Sequence, residues 1–359
     1  MFQRNCLFQP LKNVIVGHSY LPEFYSFIKD DSTKSKWQKI AAETEEDYQT
    51  LIGMLKDFGV EVIRARCDGH AEFKRRQTTN AWFKQFGFVN GLIDYPVYDS
   101  VLPPPMEPRD WFMMLGDKFI HWLDPQQLVQ YQHILNFVKA QGNKVYHTDT
   151  HINAEGWITQ IGKRITYSLG GANWFPRPRD DFQRFADTYA PEYDNRFYDV
   201  QGFADGVYRP IKEGLIVSLY EKPRYERDFP NWDVIPVTHD SWGKMDKWLK
   251  FKRNYSYLQW NWGEEADAAR KKLVDEWIDA GWQQYCSENV FDVNLLSVDE
   301  SNVIVFNYNK DVFDGLKRHG VNAHVCHFRH RYFWGGGIHC ITSDINRSGD
   351  LIDYFSERK

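Results

Sequence analysis

The stretch Trp111–His147, WFMMLGDKFIHWLDPQQLVQYQHILNFVKAQGNKVYH, contains one complete structural unit. Trp111–Leu115 and Lys118–Trp122 are apolar-rich runs separated by Gly116-Asp117, the composition of a two-residue hairpin turn. Asp124-Pro125 then supplies a capping residue and a first-turn proline. Leu128, Tyr131, Leu135 and Val138 recur at helical spacing, Gly142 stops the helix, and Lys144–His147 reads as a third strand. The unit is strand, turn, strand, helix, strand.

The same order returns along the chain. Trp157–Ile161, Gly162-Lys163 and Arg164–Ser168 predict a second hairpin, followed by a helix from about Asp181 and a strand at Arg196–Val200. A third copy has Val207–Pro210, a turn near Glu213-Gly214, Leu215–Leu219 and a companion strand at Trp232–Val237. The fourth has Val293–Val298, Asp299–Asn302, Val303–Asn307, a helix over Asp311–His319 and a strand at Val321–Val325. Near the N-terminus, Val14–Val16 precedes a Thr44/Asp47 capping pattern that predicts a helix starting near Thr44, with Leu51, Ile52, Leu55 and Phe58 on its apolar face. Gly59–Ile63 completes that unit except for one hairpin strand. Ile338–Thr342 reads as a strand without a companion, and pairing it with Val14–Val16 closes the set. Units that each leave a sheet face uncovered pack on their neighbours.

The expected fold class is therefore α/β: a five-bladed α/β propeller, a ring of ββαβ units with pseudo-fivefold symmetry in one domain over residues 1–359. Strand–helix alternation alone also suits an open parallel sheet, but a hairpin in every unit argues against that. Residues 66–106, ending in Pro103-Pro104-Pro105, and residues 238–290, with a helix around Glu264–Ala280, stand outside the repeat and read as insertions.

The chain has 359 residues, 42% of them hydrophobic, enough to bury a sizeable core. A net charge of -5 argues against a nucleic-acid partner. The basic and aromatic run Lys250–Trp260 accordingly reads as a solvated edge rather than a single-strand binding surface. Five cysteines, Cys6, Cys67, Cys286, Cys326 and Cys340, form no C-x-x-C pair, as expected of free thiols in a reducing cytoplasm. MFQRNCLFQPLKN lacks the apolar core of a signal peptide, and no apolar run reaches spanning length, so a soluble cytoplasmic protein with no membrane partner is expected. His147, Asp149 and His151 would share a strand face, but no further ligand motif accompanies them. Neither metal nor cofactor is expected.

The chemistry concentrates near the C-terminus, in Gly335-Gly336-Gly337-Ile338-His339-Cys340. Glycines allow a close backbone approach, and a thiol held beside them can act as a nucleophile once a cation or base lowers its pKa. Three acids occupy equivalent places in the repeat, each just before a hairpin: Asp110, Glu155 and Asp205. In a ring these positions converge. A guanidinium is planar, permanently charged and matched by carboxylates in pairs, so converging acids beside a thiol point to guanidinium chemistry.

GGGIHCITSDINRSGDLIDYF resembles the end of the glycine amidinotransferase family, in which a Gly-Gly-Gly-x-His-Cys run holds the nucleophile. Pro108-Arg109-Asp110 and Leu11–Gly17 resemble two further family segments, in the right order. The resemblance implies the propeller fold, and transfer of the amidino group from arginine to glycine or a similar small amine through an amidino-cysteine, giving ornithine and guanidinoacetate. It implies Cys340 as nucleophile and Asp110 as a guanidinium ligand, and Asp205 matches the aspartate of a His-x-Asp motif. Glu155 matches the acid that orients the family histidine, with Asn153 as the alternative alignment. Phe203 stands where that histidine belongs, and phenylalanine transfers no proton. Arg109, His339 and Lys222 complete the expected substrate-binding set, although strand alternation would turn His339 away from the Cys340 pocket. Arg224 is the alternative to Lys222. The resemblance is compatible with a homodimer and leaves the oligomeric state open. Two other outcomes stay open: an arginine deiminase, which the Ala154-Glu155-Gly156 pattern favours, and a non-catalytic binder of guanidino compounds.

Overall fold

The computed structural model describes residues 1–27, 30–66, 105–123, 128–148, 154–170, 179–198, 200, 203–237, 275, 292–334 and 336–355. Strand β1 (Leu11–Val16) leads through α1 (Asp31–Asp57) to β2 (Glu61–Arg64). Next come β3 (Phe112–Leu115), β4 (Lys118–His121), α2 (Leu128–Ala140) and β5 (Lys144–His147). The following unit is β6 (Ile158–Ile161), β7 (Arg164–Ser168), α3 (Arg179–Tyr189) and β8 (Asp194–Tyr198). Strands β9 (Tyr208–Lys212), β10 (Leu215–Ser218) and β11 (Asp233–Pro236) follow. Last are β12 (Leu296–Asp299), β13 (Asn302–Val305), α4 (Lys310–Arg318), β14 (Asn322–Val325) and β15 (Thr342–Arg347).

These strands make five three-stranded sheets of one pattern. The middle strand pairs antiparallel with one neighbour and parallel with the other in every sheet. The fifth sheet is shared by the chain ends: β15 runs antiparallel to β1, with Thr342 opposite Val16 and Arg347 opposite Leu11. Adjacent units touch, β15 beside β3 and β1 beside β12, and α4 packs on β11. Gly116 (φ 57°) and Gly162 (φ 59°) carry the first two complete hairpins in the left-handed region that favours glycine.

Helix α1 shows how burial overrides a local capping signal. It begins at Asp31, with the Asp30 carboxylate accepting the Thr33 N–H at 2.8 Å, thirteen residues before the expected start. Trp37, Ile40, Ala41, Tyr48, Leu51, Ile52 and Leu55 bury one face against Val14 and Val16. Each large apolar side chain so covered contributes about 1.5–3 kcal/mol. Thr44 is mid-helix, donating to Ile40 O at 2.6 Å and accepting the Trp334 indole N–H at 2.9 Å. Asp47 instead accepts from Arg329 N at 2.6 Å.

Two other expectations change. The β10–β11 connection carries only a 3-10 turn, Lys222–Arg224, where an α-helix would complete ββαβ. Pro223 and Pro230 there remove amide donors and block helix propagation. Ile338–Ile341 is a turn, and the strand begins at Thr342. The Thr342 hydroxyl donates to Ile338 O at 2.9 Å and Ile341 N to Gly337 O at 3.2 Å, which closes the backbone on itself. The expected insertions fall almost entirely outside the described residues.

Candidate active site

Each sheet is entered through a short turn. Asp110, Glu155, Asp205, Asn294 and Cys340 sit in these five turns, two or three residues before β3, β6, β9, β12 and β15. Repetition of the unit therefore repeats the placement of one polar side chain.

Asn294 joins three of the turns. Its Oδ1 accepts the backbone N–H groups of His339 (3.0 Å) and Cys340 (3.1 Å). Its Nδ2 stands 3.0 Å from Asp205 Oδ2 and 3.2 Å from Cys340 Sγ. Cys340 Sγ lies 3.7 Å from Asp205 Oδ2, and His339 Nδ1 lies 2.9 Å from that same oxygen. A Cβ on Gly336 would strike the Glu107 carboxylate, and one on Gly337 would strike the Asn294 side chain. The glycines are there because two side chains occupy their space.

The electrostatics are acidic on the thiol side. Burial, then Asp205, Glu107 and Asp110, push the half-buried Cys340 thiol well above its ordinary range. Burial and the neighbouring Glu107 and Asp205 push Asp110 well up as well. Burial raises Asp205 to about 6, against the pull of Arg109 and Arg209. His339 is held well below the usual range by burial and the same two guanidiniums, so the imidazole is neutral at pH 7. Left alone, this site holds a protonated thiol, and a cation among the carboxylates would reverse that.

The structure thus gathers Cys340, Asp205, Asp110 and His339. His339 reaches Asp205 because the backbone there is a turn, so strand alternation does not apply. Arg109 is 1% exposed and turns its guanidinium to His339 O and Thr342 O (both 2.7 Å) and Asp344 Oδ1 (2.6 Å), which fixes the Cys340 turn from behind. Lys222 is more than half exposed and pairs with Asp233 at 3.1 Å, away from this cluster. Glu155 has its backbone in the turn Ala154–Trp157, and its side chain lies outside the described residues. Phe203 precedes the Asp205 turn and packs on Trp157, the rings tilted by 45° with centroids 4.5 Å apart. Exposed His147 lies 5.2 Å from His121, ring to ring, while Asp149 and His151 fall outside the described residues.

Sequence reasoning missed Asn294 and Glu107. Asn294 was hidden by a strand expected from Val293: β12 begins at Leu296, which leaves Asn294 in the turn before the fourth hairpin as Asp205 is in the turn before the third. Glu107 carried no signal, because only the chain's path past Gly336 brings it to the thiol.

No protein-family model matches the chain. Over 80 residues it is 31% identical to the mitochondrial glycine amidinotransferase of Xenopus tropicalis, 22% of this chain and 17% of that protein. The Xenopus laevis protein is similar, 30% over 79 residues. The matched stretch is thus under a fifth of the length of these relatives. Two solved structures are alike over 99% of both chains: SxtG, an amidinotransferase of Microseira wollei from the saxitoxin biosynthetic pathway (TM-score 0.62, 16% identity), and the inosamine-phosphate amidinotransferase StrB1 of Streptomyces griseus (TM-score 0.61, 16% identity). The chain has the mixed α/β fold of these two amidinotransferases.

Proposed function

We propose that the chain is an amidinotransferase that moves the amidino group of arginine to glycine or a similar small amine, with its five units closed into a ring around the site. The observation that carries this reading is the Asp205–Asn294–Cys340 contact set, with Asp110 and Glu107 beside it. Carboxylates that hold a thiol protonated become ligands for a guanidinium, and that cation in turn favours the thiolate.

In the reaction, Cys340 Sγ bonds to the guanidinium carbon and its proton passes to Asp205 Oδ2. The bond from that carbon to the side-chain nitrogen of arginine breaks, and the departing ornithine amine takes the proton back. The acceptor amine then attacks the amidino carbon and loses a proton to the same carboxylate, the carbon–sulfur bond breaks, and Sγ takes that proton to restore the thiol. Phe203 contributes no proton, so the Asp205–His339 pair carries it. The SxtG and StrB1 likeness supports the class of transfer, while the acceptor follows from the partial likeness to glycine amidinotransferases. The packing of Phe203 on Trp157, in the place of a general acid and base, favours a second reading: a pocket that binds guanidino compounds without turnover.

Incubation with arginine, with and without glycine, tests both. Ornithine with guanidinoacetate is the expected result, with a mass increase of one amidino group on Cys340 in quenched enzyme. Citrulline would make the chain a hydrolase, and arginine binding without an adduct would make it a binder. If arginine neither binds nor modifies Cys340, guanidinium chemistry is excluded.

A further inference from the structure

Behind His339, on the side away from Cys340, four units and the N-terminal segment enclose a cavity of about 10 Å³. That is room for about one water-sized particle. Arg4, Arg109, Gln160, Arg209 and His339 line it. Arg209, on β9, is 3% exposed, and its Nε and Nη2 have no hydrogen-bond partner among the described residues. His339 Nε2, the ring nitrogen opposite the Asp205 contact, has none there either.

The charges around this cavity are unequal. Arg4, Arg109, Arg209 and Arg347 are all buried, as are Asp205 and Asp344. Asp344 already serves Arg109 and Arg347, each at 2.6 Å, and Arg4 at 3.7 Å. Arg209 has no carboxylate within ion-pair distance among the described residues. Burial and the adjacent Arg109 push Arg209 down to about 9, which leaves it charged at neutral pH. An uncompensated buried charge is costly, and arginine does not escape by losing its proton. A water molecule would satisfy the N–H groups and leave the charge; an anion would answer both.

We propose that this cavity binds one halide-sized anion, such as chloride, held by the Arg209 Nε–H and Nη2–H groups. The volume excludes phosphate and sulfate. His339 adds a donor at Nε2 when its proton sits there, since the roles across its Nδ1 contact follow the tautomer. The anion would fix Arg209 and, through the imidazole, the far side of the Asp205 contact.

The test compares thermal unfolding in sodium chloride and sodium gluconate at matched pH and ionic strength. A Tm higher by about 2–4 °C in chloride is expected for the unaltered protein, and no difference for Arg209→Met. Because that variant could fail to fold, crystals of the unaltered protein grown with bromide give the second readout. An anomalous bromine peak between Arg209 and His339 confirms the site. An ordered water there without anomalous signal overturns it, whatever the unfolding curves show. Neither readout uses arginine, so the outcome is independent of the proposed reaction.

Discussion

His339 Nδ1 lies 2.9 Å from Asp205 Oδ2, the same oxygen that stands 3.7 Å from the thiol of the next residue, Cys340. One carboxylate oxygen therefore links an imidazole to a thiol within a single turn. This is possible because residues 338–341 curl back on themselves, so neighbouring side chains reach one partner instead of opposite faces. The site holds a base, an amide donor and a thiol before any ligand arrives.

Asn294 should be as important as the charged residues. Asn294→Asp keeps an acceptor for the His339 and Cys340 N–H groups while removing the donor to Asp205 and Sγ. It also adds negative charge beside a thiol that three carboxylates already disfavour as thiolate. Loss of one such preorganised donor typically costs about 10²–10³ in rate. Rapid-quench mass spectrometry should show amidino-Cys340 forming slower by that order, with the far-UV spectrum and Tm nearly unchanged. Equal adduct rates in the two proteins would remove Asn294 from the mechanism.

Asp205 should impose a pH dependence of definite sign. Its carboxyl is raised from 3.8 to about 6, so the native state holds the proton more firmly than the unfolded chain between those values. Its contribution to stability is thus greatest at low pH and falls as pH rises through that window. Compared with Asp205→Asn, the unaltered protein should lose stability between roughly pH 4 and pH 6. Arginine acts oppositely, because a bound cation favours the ionised carboxyl. Calorimetric titration of Cys340→Ala should show arginine affinity falling by up to about tenfold per pH unit below about 6. A flat affinity from about pH 5 to pH 8 would mean that Asp205 does not meet the guanidinium.

Much of this was legible beforehand because the hairpin unit repeats. Alternating apolar runs, with glycine in three of the four turns, located four hairpins, and the spare strands at the two ends predicted the fifth sheet. Asp110, Glu155 and Asp205 were found through their shared phase, a property of the repeat rather than of any one residue, and Cys340 through the glycine run beside it. The misreadings arose where local preference met long-range contact. Thr44-x-x-Asp47 has a capping pattern, but Trp334 and Arg329, nearly 300 positions away in the chain, hold those side chains mid-helix. Ile338–Thr342 is strand-like in composition, and the glycine run with the Thr342 hydroxyl bends it. Arg109, read as a substrate ligand, serves two carbonyls and Asp344, contacts that only the folded chain supplies.

Asp344 should be the main electrostatic support beneath the site. Arg109, Arg347 and Arg4 hold its carboxyl well below the ordinary range despite complete burial. Asp344→Asn leaves three buried guanidiniums without their shared carboxylate, a change that typically costs about 3–5 kcal/mol. Chemical denaturation should show that loss as a lower midpoint. A change under about 1 kcal/mol would show that another group neutralises the cluster.

Substitution of Phe203 tests the proposed proton route. Its ring packs on Trp157 and against Gly156, where an added Cβ would come within 2.9 Å of the Phe203 ring, so the space is filled. An imidazole is smaller and equally flat, and Phe203→His should fold. If the Asp205–His339 pair is the proton route, the unaltered protein already turns over, and the substitution should change single-turnover ornithine release by less than about tenfold. His339→Asn should instead lower that rate by about 10² or more, the usual worth of a positioned acid and base. The opposite pattern, a gain of about 10² in Phe203→His with little effect of His339→Asn, would show that proton transfer is what the unaltered site lacks. Both variants are measured beside the unaltered protein across about pH 6 to 9, which spans ordinary imidazole and thiol titrations. A new rate-controlling ionisation near about 6.5 in Phe203→His alone would assign the transfer to the introduced ring.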